Sequence, residues 1–570
     1  MFTAFLITLL AAAPAGELEY KDRAGALLVE KAPDLLDTYD AETGRFGTGI
    51  WIVQDQHAMY PLAALWALER PDNPHYHSAE LLEVIMKAGD ALIEDADENG
   101  KWVFRKKDGS TWGDIHMPWT CSRWARAFAL IRGSMPEARR AHWEEALTLI
   151  FGSIAKEQLD HVHNIPAHHA MGLYVAGQAL ERPAWCERAG AFLRRVADSQ
   201  REGGYWSEGS GPVVTYNFVY TDALGTYYAL SGDEAVLPHL EKASLFHRHF
   251  TYPNGHMVET IDERNPYHEG VRTGNVGFTF SQEGRAWLQQ QWGVKGFETL
   301  PPDLLASLLL YGEEGPVAPA AEQEPLFVLE EGGIPRAATL RETPWFLCLS
   351  AYHSPIPKSR WLQDRQSLVS IYHDKTGLAA GGGNTKLQPG WSTFTVGDMD
   401  ALRHEPGETH PDFLPKGGLY HVPSEAKLVT GEAFGLDLQY GPEQCTLRLE
   451  IADENTLRYR VAATTESGLP VYAHITLLPH LGEDLVTAAG KTVTVEDNEW
   501  SLLPADIGGA VTWHGCRWDI PDTASLHWPA KRHNPYKRDG SSSLEDARIE
   551  IRVPLEPEAP EQTVTVRVPQ

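Results

Sequence analysis

The chain has 570 residues, 42% of them hydrophobic and 22% charged, the balance of an ordinary globular protein with room for two or three domains. Its formal charge of −29 excludes a broad footprint for nucleic acid or an anionic membrane surface, because both need positive charge. Local clusters such as "KRHNPYKRD" (Lys531 to Asp539) still leave room for an acidic glycan.

The N-terminus reads "MFTAFLITLLAAAPAGELEY". Its apolar run, residues 2–13, is too short to span a bilayer and ends in Ala13-Pro14-Ala15, a small-residue site of the A-x-A kind. Residues 1–15 therefore read as a signal peptide with a weak basic region, which predicts export to the periplasm or beyond. No later segment reads as a membrane span. Five cysteines stand without CxxC spacing, which predicts buried free thiols, or a Cys445–Cys516 pair in an exported protein.

From residue 16 to 311 the apolar period is helical. "AHWEEALTLIFGSI" places Trp143, Ala146, Leu147, Ile150, Phe151 and Ile154 on one stripe, and Ser134 to Glu137 ahead of it has capping-box spacing. Trp185, Ala189, Phe192 and Val196 repeat the stripe. Further helices are predicted near 22–38, 58–70, 78–94, 118–132, 166–181, 217–231, 235–249, 277–291 and 301–311. They alternate between short joints and long loops rich in glycine, aromatics and charge, a degenerate repeat of roughly 45–60 residues. If such hairpins close into a ring, the long loops gather at one mouth, where functional residues commonly sit.

Residues 312–325 are rich in Pro, Ala and Glu and read as a linker. From 326 to 570 the period drops to two, as in "TLRLEI", "TLRYRV", "ARIEIRV" and "TVTVRV". Many short strands with turns between them predict an antiparallel β-sandwich. The expected fold is thus a multidomain α+β chain, an N-terminal (α/α) toroid followed by an antiparallel β-sandwich.

The segment "EGGYWSEGSGPVVTYNFVY" (Glu202 to Tyr220) is the densest in chemistry. Together with the predicted architecture it resembles the heparinase II/III-like and alginate lyase-like polysaccharide lyases. Those enzymes carry D-G-aromatic-x-x-E-G-small-x-Y-x-x-Y at the start of an inner helix. The resemblance implies β-elimination at a uronic acid, with a tyrosine and a histidine moving protons and Asn, His or Arg holding the carboxylate. It assigns the tyrosine to Tyr216, with Tyr220 as rival, because the spacing here is one residue longer than the family's. "DHVHNIPAHHA" supplies Asn164 as carboxylate ligand and His163 or His168 as base, although the family's Asn-His adjacency is absent. As a residue, Asn164 reads equally well as the cap of a helix beginning at Pro166.

Other residues compete for roles at the mouth. Arg264 can clamp a carboxylate, with His268 nearby, while Glu263 and Glu269 read as an internal ion-pair network. Trp112, Trp119 and Trp206 are either sugar platforms or core, and Glu208 joins them as a substrate contact. His116, Gln54 and His57 are weighed against ordinary capping and packing. In the β half His353, His373, His404 and His410 are unranked candidates. A structural zinc or calcium has no ligand spacing behind it, and no cofactor is required. Two other readings stay open. A glycoside hydrolase on the same toroid would pair two of Glu208, Asp222, Asp114 and Asp262. A non-catalytic module would only bind a polysaccharide.

Overall fold

A computed structural model describes residues 16–47, 55–105, 111–319, 325–404 and 407–569. The N-terminal run read as a signal peptide, together with Gln54, lies outside the described residues, as does the side chain of Trp112. The helical half holds α1 (Lys21–Glu30), α2 (Met59–Ala67), α3 (Ala79–Glu94), α4 (Pro118–Ile131), α5 (Glu137–Glu157), α6 (Asn164–Ala179), α7 (Pro183–Asp198), α8 (Val214–Ser231), α9 (Leu237–His249), α10 (Gln282–Lys295) and α11 (Pro302–Tyr311). Proline opens α4, α7 and α11, where its missing N–H costs nothing. Ser78 caps α3 by accepting from Leu81 N–H, and Gly232 ends α8 in the left-handed region at φ 68°.

The inner row is α2, α4, α6, α8 and α11, each packed on the next, with α11 returning to α2 to close the ring. Outer helices such as α5 present one apolar stripe, and Trp143, Leu147, Ile150, Phe151 and Ile154 are all buried there. Inner helices are buried on several sides, which is why "MYPLAALWA" in α2 has no polar face. Each such large apolar side chain stabilises the fold by roughly 1.5–3 kcal/mol.

Two local expectations fail. The helix after Ser134 begins at Glu137 with Pro136 as its N-cap, because residues 132–134 form a tight 3₁₀ turn, so no capping box forms. α6 starts at Asn164, capped by the extended His163, so Asn164 is the first helical residue and not the cap. Within the stretch read as a linker, Gly315–Pro316 pairs with Glu17–Leu18 and ties the two ends of the toroid together.

Every paired strand in the β half is antiparallel, in sheets of five, six and nine strands. The five-stranded sheet is a meander from Leu326–Glu331 to Gly377–Ala380. Its strand Trp345–Ser350 is buried at every position, and the alternation explains why. Phe346 and Cys348 pack toward the helical half with Tyr205, Phe250 and Ile261, while Leu347 and Leu349 pack into the core of the larger sheets. The glycine run 381–383 leaves this sheet with φ of +134°, +128° and +90°, and a Cβ on Gly383 would lie 2.7 Å from Pro266 Cα. Glycine is needed because the loop 259–267 of the toroid presses against it. All five cysteines are free; Cys516 Sγ lies 3.5 Å from Thr376 Oγ1, and no Cys445–Cys516 bridge exists.

Candidate active site at the mouth of the toroid

The loop before α8 and the loop after α9 meet at the mouth, and one buried carboxylate organises both. Asp262 accepts from the first N–H of α8, Val214, at 2.7 Å, and from the N–H groups of Arg264 and Asn265 at 2.8 Å each. It thereby caps the helix and folds the turn that carries Arg264. Next to it, Glu263 is 2% exposed, pairs with Arg365 of the β half at 3.4 Å and accepts from Ser210 N–H at 2.7 Å. A Cβ on Gly209 would lie 2.9 Å from the Glu263 carboxylate, so the glycines of this loop let it close onto Glu263.

Arg264 lies over the Tyr216 ring, its guanidinium carbon 4.9 Å from the centroid, and donates to Glu208 at 3.2 Å. The Arg264 and Glu208 side chains are only 9% and 12% exposed. From the β half, Trp361 and Tyr536 reach over the same guanidinium at 5.8 and 5.7 Å. The Tyr536 hydroxyl hydrogen-bonds to both Tyr216 and Arg264. Burial pushes the Glu208 carboxyl up to about 7, with Arg264 and the Asn164 N–H pulling it down and Glu263 pushing it further up. Burial also raises the Tyr216 phenol, helped by Tyr536, while Arg264 opposes the rise and Glu208 adds to it. The result is a phenol, a guanidinium and a carboxyl that changes charge near neutral pH, gathered at the amino end of α6. Such a set can hold an anionic group and pass protons to and from it.

Several expected site residues lie elsewhere. Trp206 is 2% exposed, stacks on Tyr220 at 4.9 Å and donates its indole N–H to the Val196 carbonyl, so it is core and offers no face to a sugar. Tyr220 is 1% exposed behind it, its phenol raised by burial and by Glu208. His168 sits a turn deeper than Asn164, with Nε2 2.9 Å from Ser122 Oγ and Nδ1 3.9 Å from Asp222, too far for a hydrogen bond. Burial and the nearby Arg126 and Arg123 push its imidazole well down. His168 and Asp222 belong to a hub inside the ring, where Arg126 stacks on Tyr60 and Arg123 pairs with Asp303. His57 faces the same hub, 2.8 Å from Thr120 Oγ1. His163 is exposed at the N-cap of α6, and Asn164 is half-buried beside Glu208.

His268 is exposed on the rim of a pocket of about 220 Å³ that Thr215, Asp262 and Asn265 also line. Asp114 is exposed on the hairpin of Trp102–Arg105 with Thr111–Ile115, His116 is buried with Nε2 at the Asn99 carbonyl, and Trp119 lies 5.8 Å from His168. In the β half His353 Nδ1 lies 3.4 Å from the Ala351 carbonyl and His373 Nε2 lies 3.1 Å from that of Glu454. His404 is half-buried and His410 exposed. Trp361 and Tyr536 escaped sequence reasoning, although Tyr536 sits inside the basic cluster at 531–539. One group among the described residues has its ligand atoms within 4.8 Å of one another, as metal binding requires: His480, Glu483 and His514, beside the strand ends of the nine-stranded sheet. His480 and Glu483 stand three residues apart, and His514 joins them from 31 residues beyond Glu483, too far along the chain for the sequence to show the set. Among the described helices none is long and apolar enough to cross a membrane.

No protein-family model matches the chain, and no curated protein matches it in sequence. Solved structures do. A chondroitin AC lyase of Streptomyces coelicolor A3, in complex with chondroitin sulphate, aligns over 98% of this chain and 80% of its own at 14% identity and a TM-score of 0.52. A heparinase III aligns over 100% of this chain and 88% of its own at 11% identity, with the same TM-score. At such identities the likeness concerns the fold, and it runs through both halves: a helical toroid followed by antiparallel sheets is the architecture this chain shares with polysaccharide lyases.

Proposed function

We propose that the protein is an exported polysaccharide lyase that cleaves a uronic-acid-containing glycan by β-elimination. The observation that carries the reading is the convergence of Tyr216, Tyr536, Arg264 and Glu208 at the amino end of α6. Arg264 is the ligand of the C6 carboxylate, assisted by Asn164 and the α6 amides, and charge neutralisation there makes the C5 proton acidic. Tyr216 takes that proton, the C5–H electron pair becomes the C4–C5 double bond, the C4–O4 bond breaks, and O4 receives a proton from Tyr216. The phenol must first ionise, which its burial opposes and Arg264 favours. Protonation of Glu208 removes the negative charge that raises it. Tyr536, 37% exposed, connects the phenol to solvent.

Lyase structures of the same fold support this choice of reaction, and the apolar run at residues 2–13 supports export. The hydrolase reading is less well supplied. Asp262 is committed to three backbone N–H groups, Asp114 sits on an outlying hairpin, and Asp222 faces the interior hub. Incubation with alginate, glycosaminoglycans, ulvan, pectin and neutral glycans tests the proposal. New ultraviolet absorbance from the C4–C5 double bond is expected with one acidic glycan. Reducing ends without that absorbance would mean a hydrolase.

A further inference from the structure

A second cleft, of about 630 Å³, adjoins this site on the β side, lined by Lys358, Arg360, His410, Phe413, His533 and Arg538. Arg360 donates to the main-chain carbonyls of Lys537 and Arg538 and so fixes one wall. Its guanidinium carbon also lies 5.4 Å from the Trp361 ring, whose distance to the Arg264 guanidinium is 5.8 Å. One indole thus lies close to both guanidinium groups. The two guanidinium carbons can be no farther apart than the sum of those distances, a gap that adjacent sugar rings can bridge.

The cleft is cationic in a chain of net charge −29. Among the described residues Asp412 is the one carboxylate in its lining, against Lys358, Arg360 and Arg538. Beneath it, Lys386 stacks on Phe413 at 4.9 Å while paired with the fully buried Asp364, and His533 is 3% exposed with no partner for Nε2. Burial drives the His533 imidazole down to about 4, and Arg360, His404, Lys386 and Arg532 drive it the same way, as a positive local field requires. An acidic protein repels a polyanion at long range, so positive charge kept at one cleft marks where an anionic group is held. Lys358 and Arg538 are exposed, with side chains available to such a group.

Resting on the lyase reading, we infer that this cleft is an anion subsite, holding a sulfate ester or carboxylate on a sugar adjacent to the uronate bound at Arg264. The substrate is then a glycan charged beyond the cleaved uronate alone. The test uses Tyr216→Phe protein, which holds glycan without turning it over, with and without Lys358→Ala and Arg538→Ala. Three probes are titrated: heparan or chondroitin sulfate, the same chain desulfated, and alginate, which carries carboxylates only. Two exposed ionic contacts predict a roughly tenfold weaker Kd in the triple variant. Loss on the sulfated chain alone assigns sulfate, and loss on alginate assigns carboxylate. Equal Kd values for both proteins on all three probes, or no binding of any of them, overturn the inference. Failure of the wild-type protein to form an unsaturated product from any glycan sinks the lyase reading separately, since the Kd comparison needs no turnover.

Discussion

Glu208 offers a measurement that isolates the site without any knowledge of the substrate. Its carboxyl, 12% exposed, is raised from 4.5 to about 7 mainly by burial. Between those values the folded protein keeps a proton that the unfolded chain has released, so stability falls as pH rises through the window. A rise of that size corresponds to roughly 3 kcal/mol. Replacing the residue by glutamine removes the titration while preserving shape. Near pH 4.5 wild type and Glu208→Gln are alike in charge at this position and differ little in stability. By about pH 8 the variant has gained up to roughly 3 kcal/mol relative to wild type, because every other titrating group cancels in the comparison. Urea unfolding followed by tryptophan fluorescence at several pH values reads the difference. Parallel pH profiles for the two proteins would refute the reasoning, for they would mean that Glu208 titrates normally and that water reaches the site. A variant losing stability toward high pH would point instead to an ion pair with Arg264 that outweighs burial.

Other substitutions separate chemistry from support. Tyr216→Phe is expected to keep the fold, judged by an unchanged melting temperature, and to lower kcat on the cleaved glycan by about 10²–10⁴-fold; full activity would remove the phenol from the mechanism. Trp206→Ala should cost about 3–5 kcal/mol in urea unfolding, the price of a cavity in the core. A stability-neutral loss of glycan binding would restore Trp206 as a sugar platform. Arg365→Ala leaves Glu263 buried without its partner and should cost about 3–5 kcal/mol at neutral pH, less in acid, where burial already favours the protonated carboxyl; an unchanged urea midpoint would mean that water fills the gap.

The sequence made the helical half readable because burial on one side writes a helical period, as in "AHWEEALTLIFGSI" over α5. Alternation did the same for the strands of the outer sheets. The middle sheet was harder, since "WFLCLS" is buried on both faces and loses its alternation. Within the site, legibility follows chain distance. Glu208 and Tyr216 share one loop-to-helix segment, and Arg264 lies in a visibly charged loop, so all three could be named. Trp206 and Tyr220 carry the same residue types in the same segment, but Tyr220 lies one helical turn beyond Tyr216 and is buried there, stacked on Trp206. Local sequence holds no sign of which way either ring faces. Trp361 and Tyr536 come from loops of a different half, 97 and 272 residues beyond Arg264, and reach it because the middle sheet packs flat against the toroid. The site is thus a property of the interface as much as of the toroid. The tyrosine that touches both Tyr216 and Arg264 had a run of positive charge as its only sequence mark, and that charge lines the neighbouring cleft.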